Sequence, residues 1–198
     1  QIYGKPKYLP VDEKHLLNPT DVNGINKIAG EQYHLLYNNV YGIRSSVLRL
    51  TNTYGPRMRI KDARQTFLGI WIRNLIEKKP IQVFGDGKQR RDYNFVEDLL
   101  DALIIAATEN EAIGKAYNLG SPAPLNLEET AQIMCNEMEG ATYDLVPFPE
   151  ERKAIDVGDF ISDYSFFKTS FGWDPKVNFN QGIKISFDYF RKEHQHYT

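Results

Sequence analysis

Apolar residues recur along the chain with two alternating spacings, which is typical of an α/β protein. Between Gly24 and Asn39 they return every three or four positions, which predicts an amphipathic helix that Gly42 can end. Residues 43–52 are apolar or β-branched at alternate positions and predict a strand. The same reasoning predicts helices over residues 62–78, 97–108, 127–138 and 164–171, and short strands over residues 80–84, 91–96, 116–119 and 143–147.

Polar residues mark the ends of several predicted elements. Asn126 with Glu129 three residues later forms a capping-box pattern for the helix that follows. Asn180 is placed to cap a last helix that ends near Lys192. Residues 149–163 are charged and predict no regular structure. Trp173 lies in a Gly-Trp-Asp-Pro turn, where we expect it to pack in the core rather than to contact a ligand.

The composition narrows the class of protein. The 198 residues include 24 Lys and Arg against 26 Asp and Glu, so the basic excess of a nucleic-acid-binding protein is absent. Cys135 is the single cysteine, which excludes an internal disulfide framework and suits a reducing compartment, so we expect a cytoplasmic protein. The longest apolar stretch, residues 99–107, contains Asp101 and is too short to cross a membrane. We expect His194 and His196 to fray with the chain end rather than to bind a metal.

Two features of the sequence concern its completeness. The first residue is Gln1 rather than Met, and it leads directly into a structured-looking segment, so we expect the chain to begin inside a larger protein. Neither glycine-rich pattern that cradles phosphate groups, G-x-x-G-x-x-G or G-x-x-x-x-G-K, occurs in it.

The most specific signal is a series of short motifs in a fixed order. They are Tyr3-Gly4, Asn18-Pro19, Asn23-Gly24-Ile25-Asn26-Lys27, Ala29-Gly30-Glu31, the segment Arg49-Leu50-Thr51-Asn52-Thr53-Tyr54-Gly55-Pro56-Arg57, the segment from Val83 to Asp92, Val96-Glu97-Asp98, Tyr117-Asn118-Leu119-Gly120, and Gly172-Trp173-Asp174-Pro175. Over nearly the whole chain this series resembles the extended short-chain dehydrogenase/reductases, which are NAD-dependent nucleotide-sugar epimerases, dehydratases and decarboxylases.

The resemblance implies a fold and a set of partners. The fold class would be α/β, the C-terminal part of a Rossmann-type protein, with the last parallel strands followed by a small substrate-binding subdomain. Residues 1–60 would be the remnant of the Rossmann domain, and residues 61–198 mainly the substrate-binding subdomain, with segments near 92–120 returning to the Rossmann sheet. The missing N-terminal half would carry the dinucleotide loop for NAD or NADP. The intact protein would be a homodimer formed through the helix over residues 24–39.

The family's catalytic pair is a Tyr-x-x-x-Lys motif at the start of that helix. Residues four apart share a helix face, so the lysine can bind the nicotinamide ribose and favour the tyrosinate that exchanges a proton with the sugar. Lys27 matches the lysine, but Asn23 occupies the tyrosine position, and an amide cannot be the general base. Another group supplies the base, or the chain does not perform the redox chemistry, or Asn23 is an introduced substitution. Lys27 is equally compatible with a cofactor contact and with a solvated helix lysine.

Two residues match the family's ligands for the substrate diphosphate. Asn52 ends the strand over residues 43–52, where α/β proteins bind ligands, and the alternative is a turn-forming role. Arg91 has the planar fork that suits two phosphate oxygens, and the alternative is an ion pair with Asp92 or Glu97.

Further residues match positions that line the nucleotide-sugar site. Phe84, with Val83 beside it, matches the aromatic residue that lies on the nucleobase, although a core phenylalanine would look similar. Arg152 stands where the family places a second phosphate-binding arginine, and Lys153 competes under a shift of one residue. Two more residues match a helix-entry segment of the site, Gln65 and Thr66.

Two hypotheses therefore stand for the function. In the first, the chain is the C-terminal portion of an NAD-dependent nucleotide-sugar epimerase, dehydratase or decarboxylase, and is inactive by itself. In the second, it is a non-catalytic nucleotide-sugar-binding module or inactive homologue. The substrate motifs from Asn52 to Arg91 favour the first, whereas Asn23 and the absent dinucleotide loop favour the second.

We expect this chain alone not to bind NAD with useful affinity, because it lacks the glycine-rich turn that presents a helix N-terminus to the pyrophosphate. Calorimetric titration of the 198-residue chain with NAD checks this. Micromolar binding would contradict it.

Overall fold

A computed structural model describes residues 1–61, 66–153 and 155–197. The helices are α1 (Val22–Tyr41), α2 (Phe67–Ile76), α3 (Val96–Thr108), α4 (Leu127–Asn136), α5 (Glu150–Lys153), α6 (Ser165–Phe171) and α7 (Phe179–Glu193). The strands are β1 (Val47–Arg49), β2 (Asn52–Tyr54), β3 (Ile81–Phe84), β4 (Arg90–Arg91), β5 (Tyr93–Phe95), β6 (Ala116–Asn118), β7 (Leu125–Asn126) and β8 (Tyr143–Val146). Short 3₁₀ turns cover Asn110–Ala112 and His194–His196.

The strands associate in four pairs, three of them parallel. Strand β1 pairs with β6, β2 with β5, and β3 with β8, each in parallel, and the chain between each pair includes at least one helix. The remaining pair, β4 with β7, is antiparallel. Parallel strands joined through helices are the defining arrangement of an α/β fold.

Two predicted strands are each divided where the chain changes pairing partner. The stretch 43–52 forms β1, which pairs with β6, and then leads into β2, which pairs with β5. The stretch 91–96 is likewise divided at Asp92, since β4 and β5 pair with different strands. Strand β2 therefore presents Asn52 beside Tyr93. The division into subdomains at residue 60 stays a prediction.

The helix ends follow local capping chemistry. Asp21 accepts a hydrogen bond from the Gly24 amide at 2.7 Å to begin α1, and Gly42 ends it at a φ of 68°, which glycine adopts without strain. The capping box that begins α4 at Asn126 is confirmed. The predicted cap of the last helix was wrong by two residues, because Asn178 rather than Asn180 caps α7.

Other boundaries also differ from the prediction. Helix α2 begins at Phe67, and residues 62–65 of the predicted helix lie outside the described residues. The stretch predicted to be irregular contains the one-turn helix α5, whose two glutamates precede Arg152 and Lys153. That order of charges favours a helix because acids stabilise its N-terminus and bases its C-terminus.

The apolar side chains form two cores. The larger core lies among α2, α4, α7 and the strands that pack against these helices. It includes the fully buried side chains of Phe95, Phe187 and Phe190. The smaller joins α3, β6 and α6 around Tyr117 and Trp173. The Trp173 indole N–H donates to the backbone carbonyl of Asp98 at 3.1 Å, so its predicted packing role is confirmed.

Helix α1 turns its apolar stripe outward. The residues it buries are Gly24 and Glu31, whereas most of its large apolar side chains are exposed. The exposed set comprises Val22, Ile25, Tyr33, Leu36, Tyr37, Val40 and Tyr41. A continuous apolar helix face of this kind favours association with another surface.

We expect the protein to self-associate through this face, and we expect Leu36→Glu to weaken the association by more than about tenfold, because burying a leucine is worth about 1.5–3 kcal/mol. Leu36 is 49% exposed. Ile185→Glu is the matched control, since Ile185 is 42% exposed on α7. Analytical ultracentrifugation checks this, and a wild-type monomer at all concentrations would contradict it.

Candidate functional site

A cleft of ≈ 910 Å³ lies between the N-terminal segment, α1 and the ends of the central strands. Residues 46–53, which include β1 and the start of β2, line the cleft, and so do Val157, Phe160 and Ser162. The residues that carry candidate chemistry in its lining are Tyr3, Asn26, Lys27, Glu31, His34, Arg49, Asn52, Thr53, Thr66, Arg91, Asn118 and Ser162.

A hydrogen-bonded network centred on Arg49 fixes one wall of the cleft. Its guanidinium donates to both carboxylate oxygens of Glu31, at 2.6 Å and 2.9 Å, and to the hydroxyl of Tyr3 at 2.7 Å. The Tyr3 hydroxyl in turn donates to Asn118 Oδ1 at 2.6 Å. The network therefore joins α1, β1, β6 and the N-terminal segment.

The two positions of the predicted catalytic pair, Asn23 and Lys27, lie one turn apart on α1. Lys27 lines the cleft, is exposed, and makes no ion pair within the described residues. Asn23 is also exposed but is not among the lining residues. One turn of α1 therefore separates the predicted lysine, which faces the cleft, from the residue at the family's tyrosine position.

Asn52 and Arg91 lie together in the cleft. The Asn52 amide donates to the backbone carbonyl of Asp92 at 3.0 Å. The Arg91 guanidinium donates to the carbonyl of Arg90 at 2.9 Å and to that of Gly158. Its ion-pair partner is Asp156 at 4.0 Å, rather than Asp92 or Glu97.

Asp92 is a buried carboxylate beside the cleft. Its Oδ2 accepts from the backbone amide of Ser162 at 3.0 Å, whereas its Oδ1 has no partner among the described residues. Burial raises the pKa of Asp92 to about 7, against the opposing effect of the Ser162 amide. Asp92, which lies between β4 and β5, is therefore joined to Ser162, a residue that lines the cleft.

The predicted nucleobase residues form a separate cluster. The Phe84 ring packs edge-on against Phe148, with 6.0 Å between ring centroids, and the Arg152 guanidinium lies 5.4 Å from the Phe84 ring centroid. Val83 is fully buried in the larger core, so only its backbone is available to a ligand. Thr66 lines the cleft, and Gln65 lies outside the described residues.

The sequence prediction missed the network around Arg49. Its signal was a charged residue within an otherwise apolar strand, since a buried arginine needs a carboxylate partner. Glu31, four residues after Lys27, was the acid available on the neighbouring helix. All four residues of the network, Tyr3, Glu31, Arg49 and Asn118, stood in the quoted motifs without a role.

Among the described residues, no group of three or more His, Cys, Asp or Glu side chains is arranged to hold a metal ion. In the same residues, no helix has the length and apolar character to span a membrane.

Comparison with known proteins gives a consistent result. The model of the family described as "NAD dependent epimerase/dehydratase family" matches residues 1–120. A protein of Methanocaldococcus jannaschii that is provisionally named a UDP-glucose 4-epimerase is 33% identical to this chain. The match covers 92% of this chain and 57% of the length of that protein. UDP-glucuronic acid decarboxylase 2 of Arabidopsis thaliana is 30% identical over 97% of this chain and 43% of its own length.

A solved structure supports the same grouping. The UDP-glucose 4-epimerase of Thermotoga maritima, determined with UDP-glucose, is 28% identical and superposes with a TM-score of 0.85 over 98% of this chain and 61% of its own. The predicted α/β, Rossmann-type fold class is confirmed. The chain spans about half the length of the curated relatives it matches.

We expect Asp92 to make stability pH-dependent. Burial raises the pKa of Asp92 in the folded protein, so the protonated side chain is favoured there. Its contribution to the free energy of unfolding is therefore complete below the pKa of an unfolded aspartate, near pH 4, and is lost as the pH rises through about 7. The Asp92→Asn variant should not show this loss. The difference between the free energies of unfolding of wild type and of Asp92→Asn should therefore change by about 1–4 kcal/mol between those pH values.

Denaturant unfolding across this pH range checks the divergence. Asp101→Asn is the control, because Asp101 is half exposed and paired with Lys176. Parallel pH profiles for wild type and Asp92→Asn would contradict the prediction.

Proposed function

The chain belongs to the NAD-dependent epimerase/dehydratase family, and on that premise we propose that it binds a nucleotide-diphosphate-sugar in the cleft, as the C-terminal portion of an NAD-dependent epimerase, dehydratase or decarboxylase. The observation that carries the proposal is the meeting of Asn52 and Arg91 in one cleft that also contains Lys27.

The diphosphate would bind Arg91 and Asn52. Among the described residues, two contacts of Arg91 use one terminal nitrogen, and a third, from the other terminal nitrogen, reaches Gln89 Oε1 at 3.3 Å. A guanidinium has five N–H donors, so the Nε donor and one terminal donor remain for phosphate oxygens. Asn52 lies across from Tyr93 at the start of β2, which brings its amide close to the segment that carries Arg91.

The nucleobase would lie against Phe84. Its ring is partly exposed, and Arg152 stands over it as a cation that can also approach a phosphate. Arg152 belongs to α5, which follows Phe148, so one short segment would supply both the ring neighbour and the cation.

The described residues fit NAD only in part. Lys27 presents an unpaired ammonium to the cleft and would hold the nicotinamide ribose, whereas the sequence has no glycine-rich turn for the pyrophosphate. When bound, oxidised NAD accepts a hydride from the sugar and usually returns it. A polypeptide with the N-terminal half would therefore complete the site, and the exposed face of α1 would join two such proteins in a homodimer.

A second candidate, a nucleotide-sugar-binding module without turnover, is favoured by Asn23. Tyr3 is a tyrosine that lines the cleft, but its hydroxyl already donates to Asn118 and accepts from Arg49. Burial raises the pKa of Tyr3, which makes its tyrosinate harder to form. Tyr3 therefore does not replace the missing base.

We expect Arg91→Ala to weaken UDP-glucose binding by about ten- to a hundredfold, because a charge-assisted hydrogen bond contributes about 1.5–3 kcal/mol. Arg91→Lys should recover part of the affinity, since a point charge lacks the fork. Its contacts with the Arg90 and Gly158 carbonyls imply that Arg91→Ala also lowers stability. Calorimetric titration with UDP-glucose checks the affinity.

Arg90→Ala is the matched control, because Arg90 is adjacent but half exposed and paired with Asp159 at 3.0 Å. It should leave the affinity unchanged. Equal affinities for Arg91→Ala and wild type would contradict the phosphate site. Chromatography of the recovered UDP-glucose distinguishes the two candidates, since the binding module returns it unaltered even when NAD and the N-terminal half are supplied.

A further inference from the structure

We propose that the Asp156 carboxylate competes with the ligand diphosphate for Arg91, so that Asp156 determines how tightly the cleft binds a diphosphate. The inference rests on the proposed function for placing a diphosphate at Arg91. It goes beyond that function because Asp156 opposes binding rather than contributing a contact to the ligand.

Arg91 carries its charge in a largely buried place. Its side chain is 14% exposed, and burial lowers its pKa. A buried charge destabilises a protein unless an opposite charge accompanies it. The two backbone carbonyls that accept from Arg91 supply hydrogen bonds but no negative charge. The ligand-free protein is therefore stabilised by a carboxylate near Arg91.

Asp156 is the carboxylate that pairs with Arg91 among the described residues. Three carboxylates lie near enough to oppose the effect of burial on the Arg91 pKa, and they belong to Asp92, Asp156 and Asp159. Asp159 is engaged by the Nε and the backbone amide of Arg90, at 3.0 Å and 2.9 Å. Asp92 accepts from a backbone amide. Asp156 Oδ1 lies 4.0 Å from a terminal nitrogen of Arg91.

Asp156 faces the donor that a phosphate would need. Both carbonyls accept from one terminal nitrogen of Arg91, whereas Asp156 lies beside the other. That other nitrogen donates to Gln89 Oε1 at 3.3 Å and has a second N–H group, which is the terminal donor left for phosphate. A carboxylate oxygen and a phosphate oxygen therefore compete for the same N–H group.

Asp156 can leave Arg91 without moving it. Their separation of 4.0 Å is too long for a hydrogen bond, and the Asp156 side chain is 27% exposed, so water can solvate the carboxylate after it turns away. Its Oδ2 accepts from Gln89 Nε2 at 2.8 Å, which is a contact to a neutral amide. The two carbonyls still hold the guanidinium when the carboxylate has left.

The test compares wild type with Asp156→Asn by calorimetric titration with UDP-glucose. The substitution removes the charge but keeps an oxygen that can accept from Gln89. We expect Asp156→Asn to bind UDP-glucose about five- to tenfold more tightly, because the ligand no longer competes with a carboxylate.

The melting temperature of the ligand-free protein is the second measurement. We expect it to fall in Asp156→Asn, because Arg91 loses its compensating charge. Stability and affinity should therefore change in opposite directions, whereas a purely structural ion pair would lower stability without tightening binding. Unchanged or weaker binding of UDP-glucose by Asp156→Asn would overturn the inference.

Two further variants show whether Asp156 acts through Arg91. Asp101→Asn removes the same charge from a carboxylate that pairs with Lys176 at 2.8 Å and is not among the lining residues of the cleft, so the affinity should not change. In an Arg91→Ala background, Asp156→Asn should change the affinity by less than about twofold, because the contested donor is absent. Tightening as large as in the wild-type background would mean that Asp156 acts only through the overall charge of the cleft, and would overturn the inference.

Inorganic pyrophosphate separates this inference from the proposed function, because it has the charges of a diphosphate without a nucleoside or a sugar. If neither wild type nor Asp156→Asn binds UDP-glucose, the proposed function is wrong. Asp156→Asn should still bind pyrophosphate about five- to tenfold more tightly than wild type does. Equal pyrophosphate affinities, or pyrophosphate binding to neither protein, would contradict the competition itself.

Discussion

The two-point ion pair between Glu31 and Arg49 is the interaction on which the arrangement of the cleft depends. Helix α1 has few buried side chains, and Glu31 is one of the two residues that it buries. Its attachment to β1 therefore depends on a charged contact to an unusual degree. Through Tyr3 and Asn118 the same contact reaches the N-terminal segment and β6. Lys27 acquires its position in the cleft from this attachment.

Local patterns predicted most of the elements, because their causes are local. The capping box at Asn126 and the positive φ of Gly42 depend on neighbouring residues, and both were confirmed. The error at Asn180 had a local cause too. Asn178 and Gln181 form a capping box that begins the helix two residues earlier. The division of two strands could not be predicted, since it reflects which distant strands the chain pairs with.

The candidate site was harder to predict than the fold. Motif positions identified Lys27, Asn52, Thr66 and Arg91, which the structure brings to one cleft. Periodicity predicted an amphipathic helix at α1 but not the surroundings of its apolar side chains, because a pattern of side chains does not state what covers them. Two partners of Arg91 are backbone carbonyls, those of the adjacent Arg90 and of the distant Gly158, and no residue type signals a carbonyl contact.

The carbonyl contacts of Arg91 have a consequence for the thermodynamics of recognition. An arginine on a surface samples many rotamers, and fixing them costs up to about 2 kcal/mol of conformational entropy. Here the Arg90 and Gly158 carbonyls restrict the side chain, which is 14% exposed, during folding. That ordering cost belongs to folding. If Arg91 binds phosphate as proposed, the phosphate would therefore meet a preorganised donor, and binding would not bear the cost of ordering the side chain.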